Sequence, residues 1–115
     1  MIKTIRSDLI RGHTDTIILS LLTEKDMYGY EICKTISHRS NSLYELKEAT
    51  LYSSFRRLEK SELIKSYWGD VTKGGRRKYY SITEMGTLEF FKLRDEWKFA
   101  KSIIDMFVLE GENNE

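Results

Sequence analysis

The sequence predicts an α+β chain, mostly α, with one β-hairpin set between three shorter helices and one long final helix. Three observations carry this. Apolar residues recur at helical spacing through the first half of the chain. Two short runs rich in β-branched and aromatic residues flank a glycine-containing turn, and heptad-like apolar spacing then runs nearly to the end. The 115 residues, 40% apolar and 32% charged, make one domain with a real core and no room for a second. A large multi-domain enzyme is excluded.

From Ile5 to Thr23, the residues Ile10, Thr14, Ile17, Ile18 and Leu21 share one face, which predicts a first amphipathic helix. Asp26 reads as the start of a second, shorter helix over Met27 to Ser37, with Tyr30, Cys33, Ile36 and Ser37 near one stripe and Ile32 beside it. Cys33 is then a small core residue. After the polar turn from His38 to Ser42, a third helix spans about Glu48 to Ser61, with Leu51, Phe55 and Leu58 facing inward. Its opposite face carries Ala49, Ser53, Arg56 and Lys60, flanked by Tyr52, Thr50 and Arg57. That outward face is small, hydroxylic and cationic.

Leu63 to Trp68 and Lys78 to Ile82 form the hairpin, and Gly69 to Gly75 its long tip. Lys73, Arg76, Arg77 and Lys78 gather at that tip. Thr83 caps a final helix to about Glu110, with Gly111 as its stop. Residues 1–82 therefore make the first unit, residues 83–110 the helix packed on it, and residues 111–115 a flexible tail.

Charge is uneven although the net is only +1. Residues 1–46 balance at six cations and six anions, residues 47–80 carry nine against four, and residues 81–115 carry four against eight. A basic middle in a near-neutral chain is the footprint of a segment that meets a polyanion. Three helices followed by a basic hairpin is the order of a winged helix-turn-helix, whose third helix enters the DNA major groove while the wing grips the backbone. Arg, Ser, Thr and a small apolar side chain suit base edges; Arg, Lys and hydroxyls suit phosphate. On this reading Ala49, Thr50, Ser53 and Arg56 face the groove, and Tyr52, Arg57, Lys73, Arg76, Arg77 and Lys78 take phosphate. Arg56, Arg57 and Lys60 on an isolated helix would read simply as a solvated face. Helix and wing together shift the balance to a double-stranded DNA operator. The competing reading is a winged-helix module that binds protein instead of DNA.

Tyr28-Gly29-Tyr30-Glu31-Ile32, Ala49-Thr50-Leu51-Tyr52 with Arg57-Leu58-Glu59, and Gly74-Gly75-Arg76-Arg77-Lys78-Tyr79-Tyr80 followed by Thr83 and Gly86 resemble the PadR family of bacterial transcriptional regulators. Arg11-Gly12 with Ile18-Leu19 and Leu21-Leu22 matches that family's first helix. The resemblance covers about residues 9–97 and is nearest to the short subfamily with one C-terminal helix, which includes multidrug-binding repressors. It implies a homodimeric repressor released by a small ligand. One departure is Glu62, where the family usually has Gly at the turn into the first hairpin strand.

Phe90, Leu93, Trp97, Ala100, Ile104 and Phe107 follow steps of three and four, the seam of a helix packed along another helix. Met85, Leu88, Phe91, Phe99, Ile103 and Met106 line a second face. A helix apolar on two sides needs two covers, and a second copy of the chain supplies one. Trp97, on the seam, is either a structural aromatic of the interface or, as the resemblance to multidrug-binding repressors implies, the platform for a planar aromatic effector. Arg94 and Lys101 flank it and favour neutral or anionic ligands.

Other classes find little support. His13, His38 and Cys33 are too sparse for a zinc site, no phosphate-binding glycine loop is present, and no cofactor is implied. The single cysteine suits a reducing compartment, and no apolar run is long enough to span a bilayer, so a cytoplasmic location is expected.

Overall fold

The computed structural model describes residues 4–71 and 74–109. In order these form α1 (Ser7–Ile10), a 3-10 turn (Arg11–His13), α2 (Thr14–Leu22), β1 (Met27–Tyr28), α3 (Gly29–Arg39), α4 (Glu48–Lys60), β2 (Ile64–Trp68), β3 (Lys78–Ile82) and α5 (Glu84–Val108). The fold is mostly helical with a three-stranded antiparallel sheet in the order β1-β3-β2.

Three local expectations need correction. The single first helix divides at Arg11-Gly12-His13, because α1 buries nothing and is held instead by the Ile5 N–H donating to Leu43 O (2.7 Å), while α2 turns its apolar face to the core. Asp26 does not start a helix. Met27 and Tyr28 pair with Tyr80 and Tyr79, so α3 begins at Gly29 and runs on to Arg39. Tyr30 consequently points to solvent, and Gly29, Ile32 and Ile36 are the buried residues of α3. Asp26 accepts the Tyr67 hydroxyl instead.

The core lies where α2, α3 and α4 meet the sheet. Leu51, Phe55 and Leu58 of α4 are buried as their spacing requires, and Phe55 stacks on Tyr80 of β3 at 3.7 Å. Ser54 is also fully buried. The α4 terminus is a Schellman turn: the Leu63 N–H reaches Leu58 O, the Glu62 N–H reaches Glu59 O (both 2.9 Å), and Glu62 sits at φ 62°. A left-handed position occupied by Glu instead of Gly costs about 1 kcal/mol.

The same turn seats α5. Thr83 caps it by accepting from the Gly86 N–H (3.0 Å), and the Thr83 hydroxyl donates to Glu62 O (2.8 Å). A Cβ at Gly86 would lie 2.0 Å from Leu63 O, so only glycine lets α5 cross so close to the chain entering β2. Phe90 and Leu93 then pack on the core beside α2. Beyond them α5 projects, within a body of 58 × 37 × 21 Å. The expected helix end at Glu110, the stop at Gly111 and the tail 111–115 lie outside the described residues, as does Lys73.

Candidate nucleic-acid interface

Burial of Leu51, Ser54, Phe55 and Leu58 fixes the rotation of α4, and the opposite face points outward. Ala49, Thr50, Tyr52, Arg56 and Arg57 are exposed and Ser53 is half-buried. Thr50, Ser53 and Arg57, spaced three and four apart, form one wall of a groove of about 430 Å³ whose other side is Ser7, Ile10, Arg11 and Thr14. Tyr44, Glu45, Leu46 and Lys47, immediately before α4, complete the lining. Arg56 lies outside this groove and donates to the Ser53 hydroxyl (3.3 Å).

Arg57 differs from Arg56. Its Nε and Nη2 donate to the Asp15 carboxylate of α2 (3.3 and 2.8 Å), and Nη2 also donates to Ser54 (3.1 Å). The hydrogen-bonded carboxylate holds the guanidinium pKa above its usual value.

A second groove, about 370 Å³, separates α4 from the hairpin. It is lined by Tyr28, Gly29 and Tyr30, by Glu48 and Tyr52 of α4, and by Trp68, Arg77, Lys78 and Tyr80. Thus Tyr52, Arg77 and Lys78 share one depression. Tyr52 can lie there because residue 29 is glycine; a Cβ at that position would meet the Tyr52 hydroxyl at 2.8 Å. The wing cations rest on aromatic faces: Arg77 over Tyr28 (4.7 Å), Arg76 over Trp68 (5.5 Å) and Lys78 over Tyr80 (5.9 Å). Cation–π contact limits the wandering of a long side chain while leaving its charge intact.

Lys47 and Arg11, and the platforms Tyr28 and Trp68, join the surface although the sequence pattern marks none of them as a contact. Lys47 is detectable in principle, being the cation just ahead of the third helix. The other three are recruited by tertiary contacts.

Near the C-terminal helix, Trp97 meets the edge of His13 at 4.8 Å. Arg94 sits over Phe91 (4.9 Å) and 3.5 Å from Asp95, and Lys101 pairs with Asp105 (2.8 Å). Ala100, Ile104 and Phe107 are exposed. Burial pushes the Cys33 thiol pKa up, which keeps it protonated and unreactive. Among the described residues no group of three His, Cys, Asp or Glu side chains could hold a metal ion, and no helix is long and apolar enough to cross a membrane.

A buried three-helix unit with its third helix outward, beside a hairpin whose cations flank that helix, defines a winged helix-turn-helix of the DNA-binding regulator class. Comparison with known proteins agrees: residues 18–92 match the transcriptional regulator PadR-like family, and the chain belongs to that family. It is 54% identical to a transcriptional regulator from Clostridium thermocellum, which it matches with a TM-score of 0.83 over 89% of this chain and 99% of that one. A PadR family transcription regulator from Clostridium difficile is 41% identical, with a TM-score of 0.73 over 84% and 98% of the two chains. An uncharacterised protein of Lysinibacillus sphaericus is 56% identical over 93% of this chain and 97% of its own length. The chain is a DNA-binding transcriptional regulator of the PadR-like family.

Proposed function

We propose that this regulator is a homodimeric repressor that binds a pseudo-palindromic duplex and is released by a small planar aromatic ligand. α4 enters the major groove with Ala49, Thr50, Ser53 and Arg56 toward the bases. Tyr52, Lys73, Arg76, Arg77 and Lys78 contact phosphate. Two copies related by a two-fold axis read half-sites roughly 34 Å apart, one helical turn, or a multiple of it. The observation that carries this reading is the groove in which Tyr52 of α4 and Arg77 of the wing face one another, since two separate phosphate-binding elements converge there.

The test is a salt titration of binding to duplex DNA. Arg77→Ala should weaken binding to every sequence alike and reduce the salt slope by about one unit, the signature of one lost phosphate contact. A changed sequence preference with an unchanged slope would refute the phosphate assignment. Absence of any salt-dependent duplex binding by the parent would leave protein recognition as the role of the winged surface.

The effector reading rests on Trp97, a residue 44% exposed on the projecting helix. Dimerisation along α5 would bring two such rings near the axis, where they can hold a planar ligand between them. Arg94 and Lys101 are each paired with a carboxylate of α5, so stacking area selects the ligand more than charge does. Planar aromatics should quench the parent's tryptophan fluorescence, and Trp97→Ala should lose that affinity while Trp68 still reports. Equal affinity in the two proteins removes Trp97 from the site.

A further inference from the structure

We propose that Asp15 is a positioning residue that turns Arg57 from a general phosphate contact into a sequence-reading side chain of α4. The inference rests on the reading above that α4 faces the duplex.

Arg57 presents five N–H donors in a rigid plane. The Nε hydrogen and one Nη2 hydrogen go to Asp15, and the second Nη2 hydrogen goes to Ser54. Among the described residues Nη1 has no partner, so its two hydrogens are what the guanidinium offers to a ligand. Both anchors are themselves fixed. Ser54 is fully buried on α4, and Asp15 stands in the first turn of α2 with its side chain 31% exposed. The pair therefore fixes the orientation of the guanidinium and its Nη1 edge, and Arg57 lines the groove before α4 together with Thr50 and Ser53.

The charge balance points the same way. A cation attracts DNA regardless of sequence by releasing condensed counterions, and that release follows net charge. Arg57 paired with Asp15 is electrically near neutral and contributes little to it. A directed pair of donors remains, matched to base-edge acceptors such as guanine O6 and N7. Arg56, its neighbour in sequence, meets among the described residues only a serine hydroxyl within its own helix and keeps its full charge for the duplex. Folding alone gives little reason for the Asp15 contact, because exposed ion pairs contribute little to stability.

The experiment measures affinity and salt slope for a randomised duplex pool and for the sequences the parent protein enriches from it, using the full chain. Asp15→Asn frees a positive charge without changing shape. Its binding to the random pool should rise several-fold at low salt, its slope should steepen by about 0.9, and its preference for the enriched sequences should fall on the order of tenfold. Arg57→Lys keeps the charge and loses the planar fork. It should leave the slope unchanged and lose the same preference. Equal gains by Asp15→Asn on both DNA sets would mean that Asp15 acts through charge alone, and parallel losses with a lowered melting temperature would make it a structural prop. Either result overturns the proposal while the DNA reading stands. A parent protein that binds no duplex overturns both.

Discussion

Between Thr14 and Leu93 the helices lay their apolar faces on a shared core, and Phe55 is only 1% exposed. Along residues 94–108 the same kind of side chain meets solvent: Phe99 is 69%, Ile104 53% and Phe107 77% exposed. The second segment is as apolar as the first and as regularly helical, but it projects past the last surface its own chain can supply. An apolar helix end of this extent marks an interaction surface. The core of the body is covered by its own chain, and the apolar side chains of the projecting end are not. Under the proposed function the difference also separates roles: the duplex-facing groups belong to the body, and assembly and ligand response to the end.

The comparison breaks most severely at Phe55. Phe55→Ala removes the ring stacked on Tyr80 and should cost about 3–5 kcal/mol in chemical denaturation. A loss below about 1 kcal/mol would show that the body is not the tightly packed unit described. Glu62→Gly should sharpen the contrast in the other direction. It relieves the left-handed residue at the α4–β2 turn and should stabilise the body by about 0.5–1 kcal/mol, read from the same denaturation curves. An unchanged midpoint would mean that Glu62 gains a compensating contact. Phe107→Glu should alter the stability of the isolated chain by no more than about 0.5 kcal/mol, because the side chain touches no core residue. Its effect belongs to assembly.

Local signals make much of the fold legible in the amino-acid sequence. Leu51, Phe55 and Leu58 fix the rotation of α4, and Thr83 with Gly86 marks the start of α5, since a cap and a helical stripe are properties of a few adjacent residues. The strand Lys78–Ile82 is legible to the residue for the same reason. What is not legible depends on partners far away in sequence. Two residues, Met27 and Tyr28, carry no strand pattern, and only pairing with Tyr80 and Tyr79 makes them β. The break at Arg11-Gly12-His13 reflects where α2 must enter the core rather than any local stop. For the site, the outward face of α4 and the cations of the wing are visible as charge and spacing. The Asp15 anchor of Arg57, 42 positions away, and the His13 contact of Trp97 are not.

The claim that the projecting helix is completed by a second copy meets its most direct test in sedimentation equilibrium of the parent chain at micromolar concentration, with Phe107→Glu beside it. The account predicts twice the chain's 13.6 kDa for the parent and a shift toward one chain for the variant, at unchanged helical content. A parent that sediments as a stable monomer, with its α5 surface exposed in solution, would contradict it.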